Sequence, residues 1–340
     1  EGQKHEGKRR WRYRRWQSWA LVGLVTFSIV GAGTLTYWLT TGTAVSTSEL
    51  ADLLARGYTA HDTGLYKEAL NFYNQALVIS REVGDRAGEG TTLNNIGAVY
   101  RGQGQYGQAL EYYKQALVIF REVGDRAGEG TMLNNIGAVY RGQGQYGQAL
   151  EYCKQALVIR REVGDRAGEG TTLNNIGAVY RGQGQYGQAL EYYKQALVIR
   201  REVGDRAGEG TTLNNIGEVY RRQGQYDQAL EYCEQALVIR REAGDRADEG
   251  PALNNIGLVY QSQGQYDQAV EYYKQALVIF REVGDRAGEG TTLNNIGAVY
   301  HGQGQYEQAL EYYQAALLIA RDLGLSSLEK TVMYNMKDLP

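Results

Sequence analysis

Three histidines and two cysteines in 340 residues leave little from which to build a catalytic or metal centre. His5, His61 and His301 are scattered, and no His–Cys, Ser–His–Asp or paired-carboxylate arrangement has catalytic or metal-ligand spacing. The expectation is therefore no enzyme, no metal and no cofactor. Cys153 and Cys233 occupy equivalent places in an internal repeat, two copies apart, where other copies carry Tyr113 or Tyr193. Helix layers of 8–10 Å would hold them roughly 30 Å apart, beyond the ~7 Å limit for a disulfide. Each reads as a small residue replacing a buried aromatic.

Charge is missing from one long stretch. No Asp, Glu, Lys or Arg occurs from Trp16 to Ser48. Residues 1–17 hold seven Lys or Arg against two Glu, a local +5 that leaves −8 for the remainder. The apolar part, Ser18–Leu39, would span roughly 33 Å as a helix, enough to cross a bilayer of about 30 Å. Trp16 and Trp19 flank one edge, and Tyr37 and Trp38 the other, as interfacial rings do. The sequence thus predicts a basic cytoplasmic tail (1–17), a transmembrane helix (18–39) and a linker (40–48). The positive-inside rule puts everything beyond on the non-cytoplasmic side, periplasmic or extracellular. The alternative is secretion after cleavage of a signal near Gly42-Thr43-Ala44, although the apolar run is longer than an ordinary signal core. An unpaired thiol is unusual outside the cytoplasm and weighs against this topology. Because topology accounts for the basic tail, no nucleic-acid partner is expected.

What fills the rest is a forty-residue block, seen clearly at Leu93-Asn-Asn-Ile-Gly-Ala-Val-Tyr100 and continuing to Tyr106, Ala109, Tyr113 and Ala116. It returns at Leu133, Leu173, Leu213, Leu253 and Leu293, and a degraded copy begins at Leu53. Apolar residues recur at i, i+3, i+4 and i+7 in both halves, the spacing of one helix face, and never alternate as in a strand. Gly102-Gln-Gly-Gln105 is a polar turn between the halves; Gly124 can close the second helix and Asp125 can cap the next. The prediction is two antiparallel helices per unit, near Arg86–Gly102 and Tyr106–Val123. Gly88, Gly90 and Gly97 make the first helix weak by itself, so neighbour packing must hold it.

These residues carry a resemblance. The tetratricopeptide repeat signature W-x2-L-G-x2-Y, then A-x3-F, is matched by Leu93-x2-Ile96-Gly97-x2-Tyr100 and Ala109-x3-Tyr113. The chain departs from it in lacking the closing proline and in a period of 40 where 34 is usual, which resembles kinesin light chain repeats and bacterial multi-repeat proteins. The resemblance implies an all-α solenoid of seven helical hairpins over 49–325, with a capping helix over 326–340 that offers Leu328, Val332, Met333 and Met336. Pro251, one of only two prolines, falls inside the expected first helix of the sixth unit. It predicts a helix that starts near Pro251 or kinks there.

Gly102-Gln-Gly104-Gln-Tyr-Gly107 matches the dinucleotide-binding pattern G-x-G-x-x-G. A helix precedes it where that motif needs a strand, so it reads as a turn. In tetratricopeptide proteins the first helices line a concave groove. The resemblance therefore turns Thr91, Asn95, Ala98 and Arg101, with their counterparts, toward it. Asn95, Asn135, Asn175, Asn215, Asn255 and Asn295 form one row, and their carboxamides can both donate to and accept from an extended backbone. Arg101, Arg141, Arg181 and Arg221 form another and would favour carboxylates, hence an acidic partner. The bland alternatives are that the Asn residues bridge neighbouring helices and that the Arg residues pair with repeat acids such as Glu111. The resulting expectation is a membrane-anchored, non-catalytic scaffold for a protein or peptide. Two other readings are self-association of the Tyr-rich, near-identical units, and the sensor part of a larger enzyme.

Overall fold

The computed structural model describes residues 33–337 and 339, with side chains from 48 onward. The basic tail and most of the Ser18–Leu39 segment lie outside the described residues. Among those described, no helix is long and apolar enough to cross a membrane. Residues 40–48 lie within α1 (Gly33–Asp62), whose course no proline interrupts.

Fifteen helices occur among the described residues. After α1, the first helices of successive units are α3 (Arg86–Gly102), α5 (Arg126–Gly142), α7 (Arg166–Gly182), α9 (Arg206–Arg222), α11 (Arg246–Ser262) and α13 (Arg286–Gly302). The second helices are α2 (Tyr66–Glu82), α4 (Tyr106–Glu122), α6 (Tyr146–Glu162), α8 (Tyr186–Glu202), α10 (Tyr226–Ala243), α12 (Tyr266–Val283) and α14 (Tyr306–Asp322). The cap is α15 (Ser326–Lys337), which buries Val332.

One turn geometry serves every junction. A glycine with φ near +70° closes each helix at twenty-residue intervals, Gly104 within a hairpin and Gly124 between hairpins alike. Gln105 N–H donates to Tyr100 C=O at 2.8 Å and Asp125 N–H to Phe120 C=O at 2.9 Å, the six-to-one bond of a Schellman motif. The forty-residue unit is thus two twenty-residue halves with the same stop. The starts differ. Asp125 caps α5 by accepting from Gly128 N–H at 2.9 Å, whereas Gln105 gives α4 no side-chain cap.

Packing supplies the stability that propensity lacks. Leu93, Ile96, Val99, Ala109, Tyr113 and Ala116 are almost fully buried. Gly97 is required by its neighbour, since a Cβ there would come within 2.8 Å of the Tyr113 ring. In the Cys153 copy the same Cβ at Gly137 would meet Sγ at 2.5 Å.

Of the two Pro251 expectations, the late start needs correcting. Helix α11 begins at Arg246 as its counterparts do and carries Pro251 inside it. Asp245 sets that start, accepting from Asp248 N–H at 3.1 Å, while Arg246 binds Glu249 at 2.6 Å in the first turn. The proline, lacking an N–H, takes one helical bond away from the Ala247 carbonyl.

First helices of consecutive units approach one another, as α5 does α7 and α7 does α9, whereas second helices meet mainly their sequence neighbours. The stack therefore curves with the first helices inside. On the outside, Val78, Val118, Val158, Val198, Val238, Val278 and Leu318 form an exposed column on the second helices.

Candidate functional site

The inner face of each first helix carries residues at i, i+4, i+7 and i+10, such as Thr131, Asn135, Ala138 and Arg141. All four are half-buried, while Leu133, Ile136 and Val139 on the other side are buried. Along this inner wall the same positions repeat in register from α3 to α13, with Pro251 and Leu258 the apolar departures in α11 and with Arg101, Thr211, Pro251 and Thr291 exposed.

Within it the asparagines are already engaged. Asn135 Nδ2 donates to Asn94 Oδ1 of the preceding unit at 2.9 Å, Asn175 to Asn134 at 2.9 Å and Asn215 to Asn174 at 3.0 Å. Asn295 reaches Asn254 at 3.2 Å, and Asn335 of the cap reaches Asn294 at 3.0 Å. In the degraded first unit Tyr58 OH takes the acceptor's place for Asn95, at 3.0 Å. Each rung therefore joins two repeats and uses the amide end. Asn255 makes no such bond, and the Asn214 Oδ1 it would reach is buried without a partner. There Ala252 stands where Thr212 and Thr292 donate a second bond to the same acceptor row.

The arginines divide into two groups. Arg221 is held by Glu218 in a two-pronged pair at 2.8 and 2.9 Å and reaches Ser262 at 3.1 Å. Glu218 also takes Arg222; burial would raise its carboxyl, but these hydrogen bonds hold it below the usual carboxylate range. Arg101, Arg141 and Arg181 have no ion-pair partner among the described residues, neither Glu111 nor its counterparts. In their units position 218 is Ala98, Ala138 and Ala178.

A charge network that sequence reasoning missed runs along the junctions between hairpins. Glu169 is buried and accepts from Arg161 at 2.7 Å and Arg166 at 2.5 Å; Arg166 then reaches Glu202 at 2.5 Å. The pattern recurs at Glu89, Glu129, Glu209 and Glu249, and at Glu289 without the last link. Burial pushes the Glu89, Glu129 and Glu249 carboxyls up, but their paired arginines outweigh it and leave them lowered. The visible signal was the recurring Arg-x2-Glu at each helix start, an i,i+3 ion pair. Three buried arginines, Arg160, Arg200 and Arg240, also cross their hairpins to Thr131, Thr171 and Thr211 and pair with Asp165, Asp205 and Asp245.

Cys153 and Cys233 are free and buried, and burial pushes both thiols up to about 12. No group of three or more His, Cys, Asp or Glu able to hold a metal occurs among the described residues. A cavity of about 770 Å³ lies where the turn Gly102–Gly104 comes round to α13 and α15, lined there by Thr291, Asn294, Asn295 and Ser326. The seven units thus bring the superhelix back toward its own second hairpin.

A curved stack of helical hairpins with a repeated polar inner wall defines a repeat scaffold, and sequence comparison gives the family. The tetratricopeptide repeat model matches residues 49–122, 128–202, 208–282, 248–322 and 288–337. The chain belongs to the tetratricopeptide repeat family. No curated protein matches it by sequence. Among solved structures it is similar to apo RapI, with 21% identity and a TM-score of 0.63 over 81% of this chain and 99% of that one. Aspartyl phosphate phosphatase F of Bacillus subtilis gives 18% and 0.66 over 84% and 73%. A plasmid Rap conjugation gene regulator, solved with a Phr peptide, gives 16% and 0.67 over 88% and 81%. At these identities the likeness is one of fold.

Proposed function

We propose that this protein is a non-catalytic scaffold that holds an extended peptide, or an extended segment of a partner protein, along the inner wall of its first helices. The observation that carries the reading is the register of that wall. The positions of Thr131, Asn135, Ala138 and Arg141 recur from unit to unit at the same helix face, with Asn kept throughout α3 to α13, while the opposite faces of the same helices are sealed in the core. Fold similarity to a regulator solved with a peptide is in keeping with it.

In this reading Asn95, Asn135, Asn175, Asn215, Asn255 and Asn295 serve two roles. Their amide ends tie repeats together where rungs form, and their Oδ1 atoms accept from ligand N–H groups. Arg101, Arg141, Arg181 and Arg221 border the same groove. Anchoring through Ser18–Leu39, with the repeats on the non-cytoplasmic side, rests on the sequence argument. Carbonate extraction of membranes tests it, release of the chain into the supernatant speaking against an anchor.

A peptide array read with the full chain tests the groove. The variant with Asn135, Asn175 and Asn215 all changed to Ala, and separately Ala138→Phe to fill the wall, should each lose binding while keeping the wild-type helical signal. Retained binding in the Ala138→Phe variant would sink the proposal. A second reading, self-association, draws on the exposed valine column of the second helices; sedimentation across a concentration range decides it.

A further inference from the structure

Hydrogen-bond donors and acceptors are out of balance along the inner wall, and the imbalance is local. In the second unit the Tyr113 hydroxyl is buried without a partner, and Arg101 lies near enough for its charge to favour the ionised phenol against burial. In the third unit Arg141 Nε is the buried donor without an acceptor, above Cys153 rather than a tyrosine. In the fourth, the Tyr193 hydroxyl is again unpartnered, within the field of both Arg181 and Arg141.

The next two units supply their own acceptors at the same place. Glu218 takes Arg221 in the fifth, and Gln261 Oε1 accepts from the Tyr273 hydroxyl at 2.6 Å in the sixth. The buried arginines Arg160, Arg200 and Arg240 also have an unpaired Nε, but their other nitrogens meet Asp and Thr, so their charge is compensated. Unpaired buried donors call for an acceptor that the chain does not provide. Three guanidiniums without acids add charge to that demand.

We infer that the wall over the second to fourth units is a carboxylate-binding register for an acidic extended peptide, read by Arg101, Arg141 and Arg181 and ended by Glu218. This deepens the peptide-groove reading and rests on it. Touching helices lie about 8–10 Å apart, which matches three residues of extended chain at about 3.3 Å each. An acid at every third position would therefore meet one arginine per unit. A carboxylate can accept two N–H bonds from each guanidinium. Beyond the fourth unit Glu218 already occupies Arg221, so the acidic stretch has a defined end.

The chain's own repeats provide the variants. Arg→Gln reproduces what stands at Gln261, and Ala178→Glu reproduces Glu218 beside Arg181. Anisotropy is read with the full chain and a labelled twelve-residue Ser/Thr peptide carrying Glu at every third position, against its Gln counterpart. The Glu peptide should bind about tenfold more tightly, with the difference shrinking as salt is added. Combining Arg101→Gln, Arg141→Gln and Arg181→Gln should abolish the difference, Ala178→Glu should reduce it about threefold, and Arg221→Gln should change it less than about twofold. Glu218→Ala should strengthen binding of the Glu peptide. Equal binding of the two peptides, or a difference that survives the triple variant, overturns the inference. If both peptides bind equally and Ala138→Phe weakens both, the groove stands and the acidic register falls. If neither binds, both readings fall.

Discussion

Asn135 donates its amide to Asn94 Oδ1 at 2.9 Å, so a residue that the sequence offers as a ligand contact is also a link between consecutive hairpins. The two asparagines of each pair divide the work. Where a rung forms, the first accepts from the following unit, and the second donates to the preceding one and lies on the inner wall.

That division separates stability from binding. Asn94→Ala removes an acceptor and strands the Asn135 amide, and should cost about 1 kcal/mol. Urea denaturation of the full chain checks it; an unchanged midpoint would mean that water replaces the rung without loss.

The ladder is broken between the fifth and sixth units, where Asn214 Oδ1 is buried and unpartnered and Ala252 replaces the donor threonine. Backbone amides of α11 should exchange with deuterium faster than those of α7. Ala252→Thr should slow them, since its hydroxyl lies where Thr292 reaches Asn254 at 3.3 Å. Equal exchange in α7 and α11 would rule out a weak joint.

Acid should loosen the junctions. Glu89, Glu129 and Glu249 have carboxyls lowered in the fold from an unfolded value near 4.3. A lowered folded value means that their stabilisation is fully present above the unfolded value and is lost as pH falls through the folded one. Circular dichroism against pH should show an acid transition below about pH 4 that becomes shallower in Glu129→Gln. A Glu129→Gln profile identical to wild type would show that the buried carboxylate adds nothing.

Thiols pushed up to about 12 and enclosed by packing should be inert in the fold. A thiol-specific chromogenic reagent at neutral pH should report no free thiol in the native chain and both in denaturant. Rapid native reaction would contradict the burial of Cys153 and Cys233.

Much of this was legible beforehand, for physical reasons. Helix spans followed from the spacing of Leu93, Ile96 and Tyr100 and from Asp125 and Gly124 as start and stop. Pro251 misled as to the helix start, which the cap at Asp245 and the Arg246–Glu249 pair fix. The partners of Asn135 could not be read, since they depend on how one hairpin docks on the next. Nor could the lack of acceptors above Tyr113 and Tyr193, because a tyrosine read as packing shows nothing about where its hydroxyl ends.

The central claim is that ligand lies along the first helices and not on the outer valine column. Photo-cross-linking from the Glu-bearing peptide itself, tagged at one end with a diazirine and with the adducts mapped on the full chain, tests it directly. Adducts around Ala98, Ala138 and Ala178, lost on competition with unlabelled peptide, and none around Val158 are the predicted result. Competable adducts around Val158 with none around Ala138 would contradict the account.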